Sequence, residues 1–160
     1  MVYEVSLRDM PDQRIISVRG RVVRPALPVF IIRSLDDVRH HLRLLGVGAI
    51  AGPFVIYHRF GPNLVDAEVC VPVAGDILAV GRFATRLLPG ATVARTVHVG
   101  PYEELGAACA ALIRWIGPRG FDAAGPVRER YVEGPGGEAL PADYRTVIDL
   151  PVARAAVPAH

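Results

Sequence analysis

Apolar residues recur along this chain in two rhythms, and each rhythm is written twice. Val2 to Leu7 and Gln13 to Val23 read as extended segments on either side of Met10-Pro11-Asp12, a turn signal. Gly81 to Leu88 and Ala91 to Val99 do the same around Pro89-Gly90. Each pair leads into a helical pattern with steps of three and four. The first carries Leu27, Ile31, Leu35, Val38, Leu42 and Leu45. The second comes after Gly100-Pro101 and carries Leu105, Ala108, Cys109, Leu112, Ile113 and Ile116. Pro101 suits a first helical position, Glu103 and Glu104 suit the positive end of the helix dipole, and Gly46 and Gly120 suit helix ends.

The segments after the two helices also match. Gly46 to Tyr57 and Gly120 to Tyr131 both run through a Gly-Pro turn into a strand carrying a tyrosine. Each half then closes on similar words, Val71-Pro72-Val73-Ala74 and Leu150-Pro151-Val152-Ala153. The spacing predicts an α+β fold of two βαββ repeats, about residues 1–76 and 77–153, in one duplicated domain, with residues 154–160 as a C-terminal tail. Neither half is large enough to cover both faces of its own elements, so the two are expected to pack about a pseudo-twofold axis. Such packing predicts a ligand cleft on that axis.

Composition narrows the function classes. With 51% apolar and 21% charged residues the chain is globular, and its net charge of +2 gives no electrostatic case for nucleic acid or an anionic membrane. All 18 basic residues are arginine and they are spread along the chain, which argues against a phosphate-binding cluster. The N-terminus has no basic segment followed by an apolar one, and no apolar run is long enough for a bilayer. A cytoplasmic protein is the expectation. Cys70 and Cys109 fall in apolar contexts and read as small buried hydrophobes. Neither lies in a metal-ligand or disulfide pattern, and His40 and His41, being adjacent, point about 100° apart on a helix, so no metal and no cofactor are expected. Phosphate loops, nucleophile elbows and HExxH motifs are absent from the sequence.

Several segments together resemble a known family. Tyr3-Glu4-Val5 through Pro11-Asp12-Gln13-Arg14 matches the usual opening of the GyrI-like, or AraC-type effector-binding, domain. His98-Val99-Gly100-Pro101-Tyr102-Glu103-Glu104-Leu105 matches its most recognisable motif, and Trp115 falls where an aromatic is common. Gly125 to Tyr131, a Pro/Gly-rich loop and Asp143-Tyr144-Arg145-Thr146 complete the pattern, which covers residues 3–153. The resemblance implies two βαββ units around a cleft that often holds an acid among aromatics. It also implies small-molecule sensing in regulators, ring opening of strained cyclopropanes in some hydrolases, and protection of gyrase in another member. Residue 1 already lies within reach of the first strand, so no helix-turn-helix and no direct DNA binding are expected.

Glu129 is the leading candidate. On a strand it shares a face with Val127 and Tyr131, while Arg128 and Arg130 point the other way. Its counterpart in the first repeat is Val55, so the acid breaks the symmetry of the design. A carboxylate among aromatics is driven up in pKa unless hydrogen bonds or a cation hold it, which suits it to pair with a cationic ligand or to pass a proton. Tyr57 and Tyr131 offer rings and hydroxyls to a flat ligand, though strand tyrosines are more commonly core. Trp115 is read as a pocket wall or core filler, Tyr102 as a first-turn staple or a residue of the pocket mouth, and His98 as a hydrogen-bonded histidine able to hold a proton near neutrality.

These residues support three readings. The first is a protein that binds bulky apolar or cationic small organic molecules through Glu129, Tyr131, Tyr57, Trp115, Val55, His98 and Tyr102. The second is a hydrolase acting on strained cyclopropane-containing natural products, with Glu129 as the acid or base. The third is a protective protein that binds gyrase. A pocket with one acid is sufficient for the first, whereas catalysis needs a second positioned group, so binding leads. The natural ligand and the oligomeric state are not legible.

Overall fold

The computed structural model describes residues 2–133 and 138–156. Its elements, in chain order, are β1 (Ser6–Met10), β2 (Gln13–Val23), α1 (Leu27–Leu45), β3 (Phe54–Phe60), β4 (Leu64–Pro72), β5 (Ala84–Leu88), β6 (Ala91–Val99), α2 (Leu105–Ile116), β7 (Phe121–Ala123), β8 (Arg128–Glu133) and β9 (Arg145–Arg154). They form two compact units: residues 11–90, and residues 1–10 together with 91–160. The strand pairs within each unit are antiparallel, which makes the class α+β.

The first strand of each predicted half joins the other half. β1 pairs with β6, from Ser6 opposite Arg95 to Met10 opposite Ala91. β5 pairs with β2, from Gln13 opposite Leu88 to Ser17 opposite Ala84. The linkers explain this. Pro11-Asp12 and Pro89-Gly90 each put proline first in a two-residue link, where hairpin turns of types I′ and II′ require a positive φ that proline cannot adopt. The chain therefore continues past the link instead of folding back on itself.

In the unit of residues 11–90, β2, β3, β4 and β5 form the sheet, in the order β3-β4-β2-β5. Alternation along β2 sends Ile16 and Val18 toward α1, where they meet Val38 and Leu42, with Val71 and Val73 of the β4 end completing the cluster. Gly46 ends α1 with φ 67°. On the opposite face Ile15, Ile56, Cys70 and Leu88 form a second, smaller cluster.

In the other unit, β6 and β9 pair from Val93 opposite Pro151 to Val99 opposite Arg145, and β8 and β7 also pair with β9. Ala94, Ile148, Leu150 and Val152 of the sheet pack against Ala108, Leu112 and Ile116, one stripe of α2. The helix begins later than its sequence suggests. Pro101 is extended (φ −62°, ψ 152°), and a 3-10 turn at Tyr102–Glu104 precedes α2.

The registers of the two units run in step. Ile15 faces Pro72 in one and Val93 faces Pro151 in the other. Val55 faces Val69 three residues before the first proline, and Glu129 faces Ile148 three residues before the second. Both tyrosine strands then slip, between Tyr57 and Arg59 and between Tyr131 and Glu133.

Candidate functional site

Glu129 and Tyr131 lie two residues apart on β8, so they share a face of the sheet. Glu129 stands opposite Ile148, a core residue beneath α2, which places both side chains on the helix-bearing face. Arg128 and Arg130 stand opposite Asp149 and Val147 and belong to the other face. Glu129 is 8% exposed, and the Tyr131 hydroxyl donates to its Oε2 at 2.9 Å.

Two further tyrosines continue from Tyr131, with Tyr102 between the other two. The ring of Tyr102 lies 5.4 Å from that of Tyr131 and 5.3 Å from that of Tyr144, centre to centre, within the range of favourable aromatic pairs. Their backbones meet at one junction, where Gly100 N–H donates to the Tyr144 carbonyl at 2.8 Å. Gly100 has φ 134°, a conformation that L side chains rarely adopt, and a Cβ there would come 3.2 Å from Glu104 Oε2 and 3.4 Å from His98 Nε2.

His98 holds this junction from below. It is fully buried, with Nε2 3.2 Å from the Pro101 carbonyl and Nδ1 2.8 Å from the Tyr3 hydroxyl. A carbonyl only accepts, so Nε2 carries the proton, Nδ1 accepts, and Tyr3 is the donor. Thr96 anchors the same segment by donating its hydroxyl to the Glu4 carbonyl at 2.8 Å. His98 is thereby occupied by the turn that carries Tyr102.

The carboxylate's field reaches its neighbours. Burial pushes the Tyr102 phenol up from its ordinary pKa, and the Tyr144 and Glu129 oxygens add to the shift. Burial likewise pushes the Cys109 thiol up to about 11, and the negative charge of Glu129 is the next cause. Burial disfavours charge of either sign, and only the smaller contribution from Glu129 is specific to negative charge. Here a carboxylate is set among phenols beside a thiol that stays protonated.

Trp115 is half-buried against the α2 core, and the Arg119 guanidinium covers its ring at 4.0 Å from the centroid. Val55 and Tyr57 belong to β3 in the other unit, where both are buried, and Tyr57 meets Phe60 edge-on at 5.6 Å. His58 faces away from Tyr57, to Glu68. That glutamate is 4% exposed and accepts from Ser17 (2.7 Å), His58 (2.8 Å) and Arg86 (2.7 Å). Burial pushes Glu68 up, but the bonds from Arg86, Ser17 and His58 outweigh it and hold the pKa below the ordinary glutamate value.

Tyr144 and Cys109 were not among the predicted site residues. The signal for Tyr144 is its distance of two residues from Thr146, which stands opposite Tyr131 on the same face. Cys109 follows the buried Ala108 on α2, and its helical spacing alone does not separate a core position from the edge of a site. Among the described residues no group of three His, Cys, Asp or Glu side chains is arranged to hold a metal, and no helix is long and apolar enough to cross a membrane.

No curated protein matches the chain. Among solved structures, the crystal structure of the EcmrR C-terminal domain has a TM-score of 0.87 at 24% identity, covering 97% of this chain and 100% of that one. EcmrR in its complex with DNA gives 0.85 at 23% identity, covering 96% of this chain and 58% of that one, so the chain spans little more than half of that protein's length. A hydrolase from Listeria innocua has a TM-score of 0.73 at 13% identity, covering 94% of this chain and 92% of its own. SAV2435 bound to tetraphenylphosphonium has 0.62 at 16% identity, with 96% and 94% covered. At these identities the likeness carries the fold alone. The model of the GyrI-like small molecule binding domain matches residues 3–153, nearly the whole chain, and the chain belongs to that family.

Proposed function

We propose that this chain binds bulky lipophilic cations, with Glu129 as their counter-charge and Tyr102, Tyr131 and Tyr144 as the aromatic surface. The observation that carries the reading is one carboxylate, 8% exposed and accepting from a phenol, beside a chain of three tyrosine rings in which Tyr102 touches both Tyr131 and Tyr144. Aromatic faces attract cations, and do so more strongly where water is excluded. The raised pKa values of Tyr102 and Cys109 point the same way, because the Glu129 charge contributes to both. SAV2435, whose structure holds tetraphenylphosphonium, has the same fold.

The reading is tested by calorimetric titration of the wild type and Glu129→Gln with tetraphenylphosphonium and with neutral triphenylphosphine oxide. Loss of the charge is expected to weaken the cation about tenfold or more and to leave the neutral compound unchanged. Equal affinity of both proteins for the cation overturns the proposal.

A second reading, hydrolysis of strained cyclopropanes, is favoured by the Tyr131–Glu129 hydrogen bond, a ready proton donor and acceptor pair, and by a hydrolase of the same fold. More than one equivalent of opened product per protein would establish it. Behind both readings lies internal duplication of one βαββ plan, supported by the matching registers, in which Glu129 takes the place held by Val55.

A further inference from the structure

We infer that Thr146 is a second, polar contact of the same site, selecting cations that also carry an amino or hydroxyl substituent. The inference rests on the cation-binding reading and adds a specificity-determining residue to it. Thr146 sits on β9 between two strands, opposite His98 of β6 and opposite Tyr131 of β8. The three side chains therefore form one row on the α2 face, the face that carries Glu129.

Thr146 is 0% exposed, and its Oγ1 has no hydrogen-bond partner among the described residues. Its neighbours in the row are committed elsewhere. Both nitrogens of His98 are taken, by Tyr3 and by the Pro101 carbonyl, and the Tyr131 hydroxyl is given to Glu129. A buried hydroxyl without a partner destabilises a fold, and valine would fill the same volume without that cost. The threonine is therefore explained by a partner that arrives from outside the protein.

The position says which partner. A cation that pairs with Glu129 displaces the Tyr131 hydroxyl from Oε2, and Tyr131 is the cross-strand neighbour of Thr146. A substituent beside the cationic centre then comes to rest at Thr146. A hydroxyl both donates and accepts, so amino and hydroxyl groups are served alike.

The test compares two cations of one shape, 10-methylacridinium and 3,6-diamino-10-methylacridinium, titrated into the wild type, Thr146→Val and Thr146→Ser. Thr146→Val is expected to bind the diamino compound about fivefold more weakly and the parent cation unchanged, and Thr146→Ser to restore the preference. Thermal melting checks folding, with Thr146→Val at least as stable as the wild type. Equal losses for both cations, or no loss for either, overturn the inference. Failure of the wild type to bind either cation instead overturns the underlying cation-binding reading.

Discussion

Tyr131 gives its hydroxyl to the carboxylate of Glu129, two residues earlier on the same strand, at 2.9 Å. The pair is a consequence of strand periodicity, since any residues at i and i+2 share a face. Here that face is the one under α2, so the acid is fixed in a largely dry setting by a phenol that a bound cation would have to displace. Tyr131→Phe removes the donor and is expected to lower stability by about 1 kcal/mol in urea unfolding. It should leave cation affinity equal to or above that of the wild type, because the competing hydroxyl is gone. A loss as large as that of Glu129→Gln would show that Tyr131 holds the ligand and not merely the acid.

Cys109 reports on the charge of Glu129. With its thiol pushed up to about 11, alkylation by iodoacetamide at pH 8 is expected to be about a hundredfold slower than for a free cysteine, in proportion to the thiolate present. Burial is the main cause and the Glu129 charge the second, so Glu129→Gln should speed the reaction several-fold. Mass spectrometry of the labelled peptide separates Cys109 from the fully buried Cys70. An unchanged rate in Glu129→Gln would mean that the carboxyl carries no charge in the fold.

Much of this arrangement was legible in the sequence. Period-two alternation put Glu129 beside Tyr131 and turned Arg128 and Arg130 away, and the three-and-four rhythm put Val38, Leu42, Leu112 and Ile116 in the core. The exchange of β1 and β5 is not legible in local pattern, even with Pro11 and Pro89 in the links, because strand partners are a long-range choice that local pattern leaves open. Likewise nothing in the motif His98 to Leu105 says that the histidine faces the turn's own carbonyl, since that depends on the backbone reversal at Gly100.

That reversal gives a third prediction. Gly100→Ala would require a side chain at φ 134° and set its Cβ against Glu104 and His98. Both effects act at the junction that holds Tyr102 and Tyr144, so a loss of about 2 kcal/mol is expected together with weaker cation binding. Tyr3→Phe probes the same junction without strain. It removes the donor to His98 Nδ1 and should cost about 1 kcal/mol, with a smaller effect on affinity. If Gly100→Ala lowers stability while affinity stays at the wild-type value, the junction does not position the tyrosines.

The acid of the other unit, Glu68, has a separate, structural role that pH exposes. Its partners come from three strands, Ser17 of β2, His58 of β3 and Arg86 of β5, so one carboxylate on β4 ties the four strands together, including the exchanged β5. Together they hold its folded pKa below the ordinary value, against the opposing effect of burial. Asp66 is lowered in the same unit, chiefly by its hydrogen bonds from Arg19. A carboxyl whose folded pKa is depressed contributes stability that is fully present above its unfolded pKa and is lost as pH falls through the folded one. For Glu68 the contribution is thus intact at neutrality and declines below about pH 4.5. Glu68→Gln keeps the shape, removes the charge, and is expected to cost about 2 kcal/mol at pH 7. The gap between the variant and the wild type should narrow as urea unfolding is repeated at pH 5, 4 and 3. Two stability curves that stay parallel down to pH 3 would show that the ion pairs around Glu68 add nothing to the fold.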